Sequence, residues 1–270
     1  MNVKEELNKA RETRCAIGAF NTNNLEVTKA ICSAAKKLDA TILIQTTPSA
    51  LEYAGPQTLF DIIRDEIDSS GINAAIHLDH AKDFETVKRC IDMGYKSVMF
   101  DGSKLSFDEN VAETKKVVEY AHERGVTVEA EIGVIGKEEG GQISGTAVMS
   151  DPDQVAKFVE LTGVDSVAVS VGNEHGAPEG EKVDLKLLKL ISEKVSIPLV
   201  MHGSSGLCDE DIRAAIGCGV TKFNVDTKLK HAFAEAIESS SDEDYRDANK
   251  EGMDAVGKVV EERIKLLQNS

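Results

Sequence analysis

The feature that most constrains the fold is an alternation of short apolar runs and amphipathic segments that repeats eight times. Each run ends in polar or glycine-containing residues, and apolar residues at helical spacing follow it. The runs lie at 16–20, 41–45, 74–79, 97–100, 126–131, 166–171, 197–202 and 221–225. The helical patterns lie at 25–38, 57–67, 84–93, 109–124, 152–161, 185–193, 209–217 and 228–238. Eight strand–helix units predict an α/β fold, a (β/α)8 TIM barrel.

No break in composition divides the chain, so we expect a single domain over residues 1–270. Residues 3–12 predict an extra helix before the first strand, and 239–270 predict a C-terminal linker followed by a helix at 249–267. A doubly wound sheet is the main alternative, but it would normally carry a glycine-rich phosphate turn after its first strand, where this chain has Asn21-Thr22-Asn23-Asn24.

Charge and composition narrow the class of partner. The formal net charge is −16, which repels phosphate backbones and argues against nucleic-acid binding. No apolar stretch approaches the length of a membrane span, which argues against a membrane partner. The five cysteines form no C-x-x-C pair, which is typical of a reduced, cytoplasmic protein.

In such a barrel the residues that close the strands converge at one end, where barrel enzymes have their active sites. The strand ends here gather acids, amides and three of the six histidines. They are Asn21, Asn23, Thr46, Thr47, Asp79, His80, Asp101, Glu131, His175, His202, Asn224, Asp226 and Thr227.

The three histidines, His80, His175 and His202, predict a catalytic metal site. Three nitrogen ligands with a fourth position open are typical of catalytic zinc, which polarises a carbonyl. Asp79 lies beside His80 in the sequence, so it can reach a hydroxyl of the bound substrate and act as acid/base on the hydroxyl proton. For each histidine the alternative is a hydrogen-bonded core residue.

Two loops predict a phosphate site. Gly203-Ser204-Ser205-Gly206 follows the seventh strand, and Asn224-Val225-Asp226-Thr227 closes the eighth ahead of a helix. Loops at these two strands form the recurrent phosphate site of barrels. Ordinary turn chemistry is the alternative, because Gly and Ser are common turn formers.

Two connections, 133–150 and 172–183, are longer than the others. Long loops over a barrel mouth commonly act as lids, and a flexible solvated loop is the alternative for the first.

The ordered motifs resemble the class II, metal-dependent ketose-bisphosphate aldolases over almost the whole chain. The matching stretches are Gly18-Ala19-Phe20-Asn21, His77-Leu78-Asp79-His80, Ser97 to Ser103, Val128 to Gly133, His175-Gly176, His202-Gly203 and Asn224-Val225-Asp226-Thr227.

The resemblance implies reversible aldol cleavage of a phosphorylated ketose, with fructose 1,6-bisphosphate as the lead substrate, and a homodimer or homotetramer. It implies Zn²⁺ on the three histidines, with Co²⁺ or Mn²⁺ as alternatives and a monovalent cation near the phosphate. It also implies Asp79 as acid/base at the C4 hydroxyl and Glu139 as the residue that moves the proton of the dihydroxyacetone phosphate carbon. Asp101 and Glu131 are implied as an alternative metal site. The implied substrate contacts are Asn23, Thr47, Gly176, Gly203, Ser204, Ser205, Asn224, Asp226, Thr227 and Lys230.

The chain also departs from that family. Ala177-Pro178-Glu179 replaces a tyrosine-lysine pair, Glu52 stands where lysine is common, and Lys230 replaces an arginine whose fork would bind phosphate in bidentate fashion. Tagatose 1,6-bisphosphate or a phosphorylated deoxy-sugar acid is therefore the alternative substrate. A non-catalytic barrel that binds a sugar phosphate or stabilises a partner subunit is the alternative of another class.

Overall fold

The structure, a computed structural model, describes residues 1–139, 142–144, 148–176, 180, 182–241 and 244–268, with the backbone alone at 136–139, 142–144 and 175. Its centre is a closed barrel of eight parallel strands, in which strands that follow one another along the chain are neighbours. The barrel strands are β1 (Ile17–Asn21), β2 (Ile42–Thr46), β3 (Ala74–Ala81), β4 (Ser97–Phe100), β5 (Thr127–Ile132), β8 (Ser166–Val169), β10 (Leu199–Met201) and β11 (Val220–Val225). The predicted (β/α)8 barrel is confirmed, and the doubly wound alternative is wrong because the sheet closes on itself.

Helices surround the barrel, and the chain begins and ends with a helix. They are α1 (Val3–Thr13), α2 (Leu25–Lys37), α3 (Pro48–Ala54), α4 (Pro56–Ser70), α5 (Phe84–Met93), α6 (Phe107–His122), α7 (Pro152–Thr162), α8 (Leu185–Lys194), α9 (Asp209–Gly217), α10 (Thr227–Ser239) and α11 (Tyr245–Gln268). None of the helices in the described ranges is long and apolar enough to cross a bilayer.

Three short features were not predicted. Helix α3 has Pro48 in its first turn and Thr47 as its N-cap, a start signal without enough residues for a period to be read. The connection after β5 carries the antiparallel strands β6 (Gly136–Glu139) and β7 (Gln142–Ser144), and the next long connection carries β9 (Glu174–His175). These strands have two to four mostly polar residues, so no apolar run marks them in the sequence.

The core has two parts. The larger lies between the barrel and its helices, where strand residues such as Ile42, Ile44 and Val128 pack with helix residues such as Ile31 and Val117. The smaller lies at the N-terminal ends of the strands, where Val3, Leu7 and Ala10 of α1 pack on Ile17 and Leu43. Helix α1 therefore plugs the end of the barrel opposite the one that gathers the polar strand ends.

The C-terminal helix α11 lies along α2 and α10 and returns the chain to the start of the barrel. The amide of Ala16 donates to the carbonyl of Leu267 at 3.0 Å. Gly252 lets α11 approach α10 closely, since a Cβ there would lie 2.7 Å from the ring of Phe233.

Candidate active site

A bulge at the end of β3 turns two consecutive side chains toward the barrel mouth. The pairing of β3 with β4 shifts register between Leu78 and Ala81, and His80 has a left-handed backbone with φ of 54°. Regular strand geometry would point Asp79 and His80 to opposite faces of the sheet. The extra residue of the bulge removes that alternation, so both side chains reach the same group of inward-facing residues.

His80 and His202 form the centre of this group. His80 Nε2 and His202 Nδ1 are 2.9 Å apart. The other ring nitrogens face carboxylates: His80 Nδ1 lies 3.3 Å from Asp101 Oδ2, and His202 Nε2 lies 2.8 Å from Glu129 Oε1. A carboxylate beside one nitrogen keeps hydrogen there and leaves the lone pair on the other. With both rings neutral, two lone pairs then face each other, and only a proton or a cation between them relieves the repulsion.

Carboxylates complete a donor set that fits a divalent cation. Asp79 with both histidines, and His80 with Asp101 and Glu131, each bring their ligand atoms within 4.8 Å of one another. Glu131 Oε2 is buried and has no hydrogen-bond partner among the described residues. Burial raises the pKa of Glu131 to about 8, against the opposing effect of His80. A bound cation would satisfy this oxygen and favour its charged form, so the residues present fit a metal.

Two predicted site residues lie where the structure describes the backbone alone. His175 is in β9 and Glu139 is in β6, and the two strands are paired in parallel, with Lys137 opposite His175. The segments that carry the third predicted ligand and the predicted proton donor are therefore joined by backbone hydrogen bonds. The roles of both side chains stay predictions, and Ala177-Pro178-Glu179 lies outside the described residues.

Three side-chain amides hold the buried carboxylate of Asp79. Asn224 Nδ2 donates to Asp79 Oδ1 at 3.0 Å, and Asn21 Nδ2 donates to Oδ2 at 3.2 Å. Gln45 Nε2 lies 3.4 Å from Oδ2 and donates to Asn21 Oδ1 at 2.6 Å. Donors of this kind orient the carboxylate and favour its charged form.

Electrostatics also favour an ionised Asp79. Burial would raise the pKa of this carboxyl, but His80, His202 and Lys222 outweigh burial and lower it below its usual value. The pKa of Asp101 is lowered as well, because the hydrogen bond and charge of His80 and the hydrogen bonds of Ser103 overcome burial. The mouth therefore combines a base that is charged at neutral pH with a donor set suited to a cation.

The two predicted phosphate loops lie side by side. Gly203 has a left-handed backbone, and a 3₁₀ turn follows at Ser204–Gly206. The buried hydroxyl of Ser204 donates to the carbonyl of Asn224 at 3.1 Å, so it links the loop after β10 to the end of β11. Thr227 opens helix α10, whose first amides point toward this end of the barrel.

The remaining predicted substrate contacts lie near the rim. Asn23 and Lys230 line a pocket of about 300 Å³ together with Ser49 and Tyr53. Lys230 Nζ is 2.5 Å from Asp226 Oδ2, so this lysine is paired with an acid of the predicted site. Burial raises the pKa of Asp226, with Lys230 acting in the opposite direction.

Thr47 is the N-cap of a helix, and Gly176 has a positive φ. Thr47 caps α3 by accepting from the amide of Ala50 at 3.2 Å, and Gly176 has φ of 77° directly after β9. Ser205 lies in the 3₁₀ turn after Gly203.

Sequence reasoning missed Gln45, Glu129 and Lys222, which contact the site from inside the barrel. Gln45 ends the run 41–45, and Glu129 and Lys222 lie in runs that also contain other polar residues. A long polar side chain inside a predicted buried strand was a usable signal, because it faces either the lumen or a specific partner.

Comparisons with known proteins agree with one another. A family model described as fructose-bisphosphate aldolase class-II matches residues 1–270. The chain is 38% identical to the fructose-bisphosphate aldolase of Staphylococcus aureus (strain N315), over 100% of this chain and 98% of the relative. It is 39% identical to the fructose-bisphosphate aldolase of Geobacillus stearothermophilus, over 88% and 84% of the two chains.

Solved structures are similar over nearly the whole length. The YdjI aldolase from Escherichia coli K12 has a TM-score of 0.89 and 30% identity, covering 98% of this chain and 96% of that one. The fructose-bisphosphate aldolase from Campylobacter jejuni has a TM-score of 0.82 over 98% and 93% of the chains, and at 21% identity this likeness concerns the fold alone.

Proposed function

Since this chain belongs to the class II fructose-bisphosphate aldolase family, whose members are metal-dependent lyases acting on phosphosugars, we propose that it reversibly cleaves fructose 1,6-bisphosphate. The products are dihydroxyacetone phosphate and glyceraldehyde 3-phosphate. The observation that carries the proposal is the amide-held, ionised carboxylate of Asp79 next to the His80–His202 pair. A base for a hydroxyl proton beside a cation site is what aldol cleavage requires.

The metal would be held by His80 and His202, with the side chain of His175 as the proposed third ligand. Asp101 and Glu131 are proposed as an alternative position, supported by their distance to His80. We propose Zn²⁺, with Co²⁺ or Mn²⁺ as alternatives, because imidazole ligands suit all three. When bound, such an ion polarises the substrate carbonyl and stabilises negative charge next to it.

In the cleavage direction, Asp79 accepts the proton of the C4 hydroxyl while the bond between C3 and C4 breaks. The C4 oxygen becomes the aldehyde oxygen, and the electron pair of the broken bond remains with the three-carbon fragment. Glu139 is proposed to donate a proton to C3 of that fragment, which completes dihydroxyacetone phosphate. Condensation runs through the same steps in reverse.

The C1 phosphate is proposed to bind at Gly203, Ser204, Ser205, Asn224 and Thr227, with a monovalent cation nearby. The support is the contact between the two loops and the N-terminus of α10, which favours anions. Asn23, Thr47 and Gly176 are proposed as further substrate contacts. Asp226 and Lys230 are proposed for the distal half of the sugar, where Asn23 and Lys230 share a pocket.

The test is cleavage of fructose 1,6-bisphosphate by the purified protein before and after chelation and zinc restoration. We expect chelation to abolish cleavage and zinc to restore it. Asp79→Asn should lower kcat by about 10²–10⁴-fold while zinc remains bound, because it removes the base and leaves the three proposed histidine ligands in place. Lys9→Ala, an exposed change on α1, is the control. Cleavage that survives chelation, or full activity in Asp79→Asn, would overturn the mechanism.

Tagatose 1,6-bisphosphate or a phosphorylated deoxy-sugar acid remains the alternative substrate. We expect Asp226→Ala to shift the preference between fructose and tagatose 1,6-bisphosphate, because it removes an acid proposed to contact the distal half. An unchanged ratio of kcat/KM for the two sugars would remove Asp226 from that role. Membership of an aldolase family sets aside the non-catalytic barrel considered from the sequence.

We also propose that the protein is a homodimer or homotetramer in the cytoplasm, with no nucleic-acid or membrane partner. Each subunit is proposed to be a single domain over residues 1–270. All five cysteines are free thiols, which supports a reducing compartment. Light scattering during size-exclusion chromatography would give the number of subunits, and a monomer would contradict the proposal.

A further inference from the structure

Deeper in the lumen than the histidine pair lies a second group of polar side chains, which we call the lumen cluster: His77, Ser97, Glu129 and Lys222. All four are buried, with relative exposures of 0%, 2%, 1% and 0%. Barrel interiors are normally filled with branched apolar side chains, and burying a lysine and a glutamate carries a large desolvation cost. None of the four transfers a proton or contacts the substrate in the proposed aldol steps, although the charge of Lys222 helps to lower the pKa of Asp79. Their arrangement therefore needs a further explanation.

Glu129 connects the lumen cluster to the proposed metal ligand His202. One oxygen, Oε1, lies 2.8 Å from His202 Nε2, and the other, Oε2, lies 2.9 Å from Lys222 Nζ. The two oxygens of one carboxylate are thus divided between a lysine and a histidine. Lys222 is on β11 and Glu129 is on β5, with β8 and β10 between them, so the ion pair crosses the lumen.

On its other side Lys222 is held by His77. Lys222 Nζ lies 3.4 Å from His77 Nε2, and His77 Nδ1 lies 2.8 Å from Ser97 Oγ. An ammonium group can only donate, so His77 Nε2 accepts and its hydrogen is on Nδ1, directed at Ser97. Lys222 therefore has fixed partners on two sides of the barrel, and its position defines where Glu129 Oε2 can lie.

We propose that Lys222 is a positioning residue for the metal site and acts through Glu129 on His202. By holding Oε2, it keeps Oε1 directed at His202 Nε2, so the ring hydrogen stays on Nε2 and the lone pair of Nδ1 faces His80. This inference rests on the proposed function, in which Nδ1 of His202 is a metal ligand. Partners of this kind orient a ligating imidazole and fix its tautomer.

A purely structural ion pair would behave differently. Its loss would destabilise the barrel but leave the hydrogen of His202 on Nε2 and leave the intrinsic affinity for zinc unchanged. The proposal instead couples Lys222 to zinc retention in protein that is still folded.

The experiment uses Lys222→Met, which keeps most of the apolar stem and removes the ammonium group. Zinc affinity of the full-length protein is measured by competition with a chelator at fixed pH. We expect it to fall by about tenfold or more, the range found when groups behind a ligand are removed. Imidazole ¹⁵N NMR should show hydrogen on His202 Nε2 in the parent and a mixture of tautomers in the variant. The His202 signal is assigned by its absence from His202→Ala.

Lys4→Met is the matched control, because Lys4 Nζ also pairs with a buried carboxylate, Asp165 Oδ1 at 2.8 Å, at the opposite end of the barrel. It should leave zinc affinity and the His202 tautomer unchanged. If Lys222→Met does not fold, Lys222→Gln takes its place, since its shorter amide cannot hold Oε2 at the same position. An affinity equal to the parent's in whichever variant folds, or insolubility of both, would overturn the proposal.

His202→Ala separates this inference from the proposed function. If the parent binds no zinc, or His202→Ala binds it equally well, the proposed metal site is wrong. If His202→Ala loses zinc and the folded Lys222 variant keeps it, only the positioning role is wrong.

Discussion

At the scale of single residues, the backbone of His80 departs from the ordinary strand conformation for a chemical reason. A non-glycine residue with φ of 54° costs about 1–3 kcal/mol and persists where its surroundings hold it in place. Here the surroundings are Asp101 on one ring nitrogen and His202 on the other. The strain places an acid and a histidine, adjacent in the sequence, on the same side of the strand.

The affinity for zinc should depend on pH. In the metal-free protein, burial lowers the pKa of His80, but Asp79, the hydrogen bond with Asp101, and Glu131 outweigh it and raise the pKa to about 9. A charged His80 donates from Nε2 to His202 Nδ1, so a proton occupies the place that a cation would take. We expect zinc affinity to rise by about tenfold per pH unit from about pH 7 to about 9, because binding displaces this proton. Chelator competition would measure it, and a flat profile would contradict the prediction.

The stability of the metal-free protein should fall as pH rises, whereas zinc affinity should increase. The folded-state pKa of His80 is about 9, above its ordinary value of 6.5. The stability that it contributes is therefore fully present below about pH 6.5 and is lost as pH rises through about 9. Urea unfolding with a chelator present would show it as a difference between parent and His80→Gln that shrinks with rising pH. A constant difference would argue against a charged His80.

Thiol reactivity should divide the cysteines into two groups. Burial raises the pKa of Cys32 and of Cys90 to about 12, so at pH 8 only about one such thiol in ten thousand is ionised. Cys15, Cys208 and Cys218 are partly exposed. We expect an aromatic disulfide reagent to titrate these three first, and all five after unfolding. Rapid reaction of all five in the native protein would contradict the packing.

At the scale of elements, one end of the barrel is closed by packing and the other carries the candidate active site. Helix α1 closes the N-terminal ends of the strands with apolar contacts and an ion pair between Lys4 and the buried Asp165. The connections at the other end carry the donors, the amides and the paired strands β6 and β9. We therefore expect a substitution at the N-terminal end of the barrel to change the free energy of unfolding without changing zinc affinity or kcat.

Leu7→Ala should test that separation. Leu7 is 2% exposed within α1, and truncation of such a residue costs about 2–5 kcal/mol in the free energy of unfolding. Zinc affinity and kcat should not change, because the site is at the opposite end. Chemical denaturation and chelator competition measure the two quantities, with Lys9→Ala on the exposed face of α1 as control. A loss of zinc affinity in Leu7→Ala would show that the ends are coupled.

At the scale of the whole molecule, the net charge of −16 acts on a substrate that is itself anionic. Repulsion over the surface slows the approach of a bisphosphate and is screened by salt, with a Debye length of about 10 Å at 0.1 M. Glu52 is exposed on α3, which follows β2 at the mouth. It is therefore a negative charge near the mouth whose effect on an incoming phosphate can be tested.

We expect Glu52→Lys to raise kcat/KM for the bisphosphate severalfold at low ionic strength and less at high ionic strength. Glu193→Lys makes the same change in net charge near the end of α8, at the far end of the barrel, and should have little effect. Steady-state kinetics across a salt series would measure both. Equal effects of the two variants would mean that total charge, and not its position, governs approach.

The sequence by itself determined the barrel, because its strands are short, mostly apolar runs that alternate with amphipathic helices and can be recognised locally. Ser97–Phe100, Phe84–Met93 and Asp209–Gly217 have the predicted bounds, and the other barrel strands differ by one or two residues at one or both ends. It also placed His80, His202, Asp79 and the phosphate loops at one end, because parallel strands end together. Short elements such as α3 and the β6–β7 hairpin were not predicted, since they contain too few residues to show a period.

Only the tertiary structure decided how the side chains meet. The bulge that turns His80 inward, the three amides on Asp79, and the link from Lys222 through Glu129 to His202 all join residues far apart in the chain. Lys222 and Glu129 are 93 positions apart in the numbering and 2.9 Å apart across the lumen. A sequence states which residues can be charged, but closure of the barrel selects their partners, and burial makes those partners decide the protonation of each group.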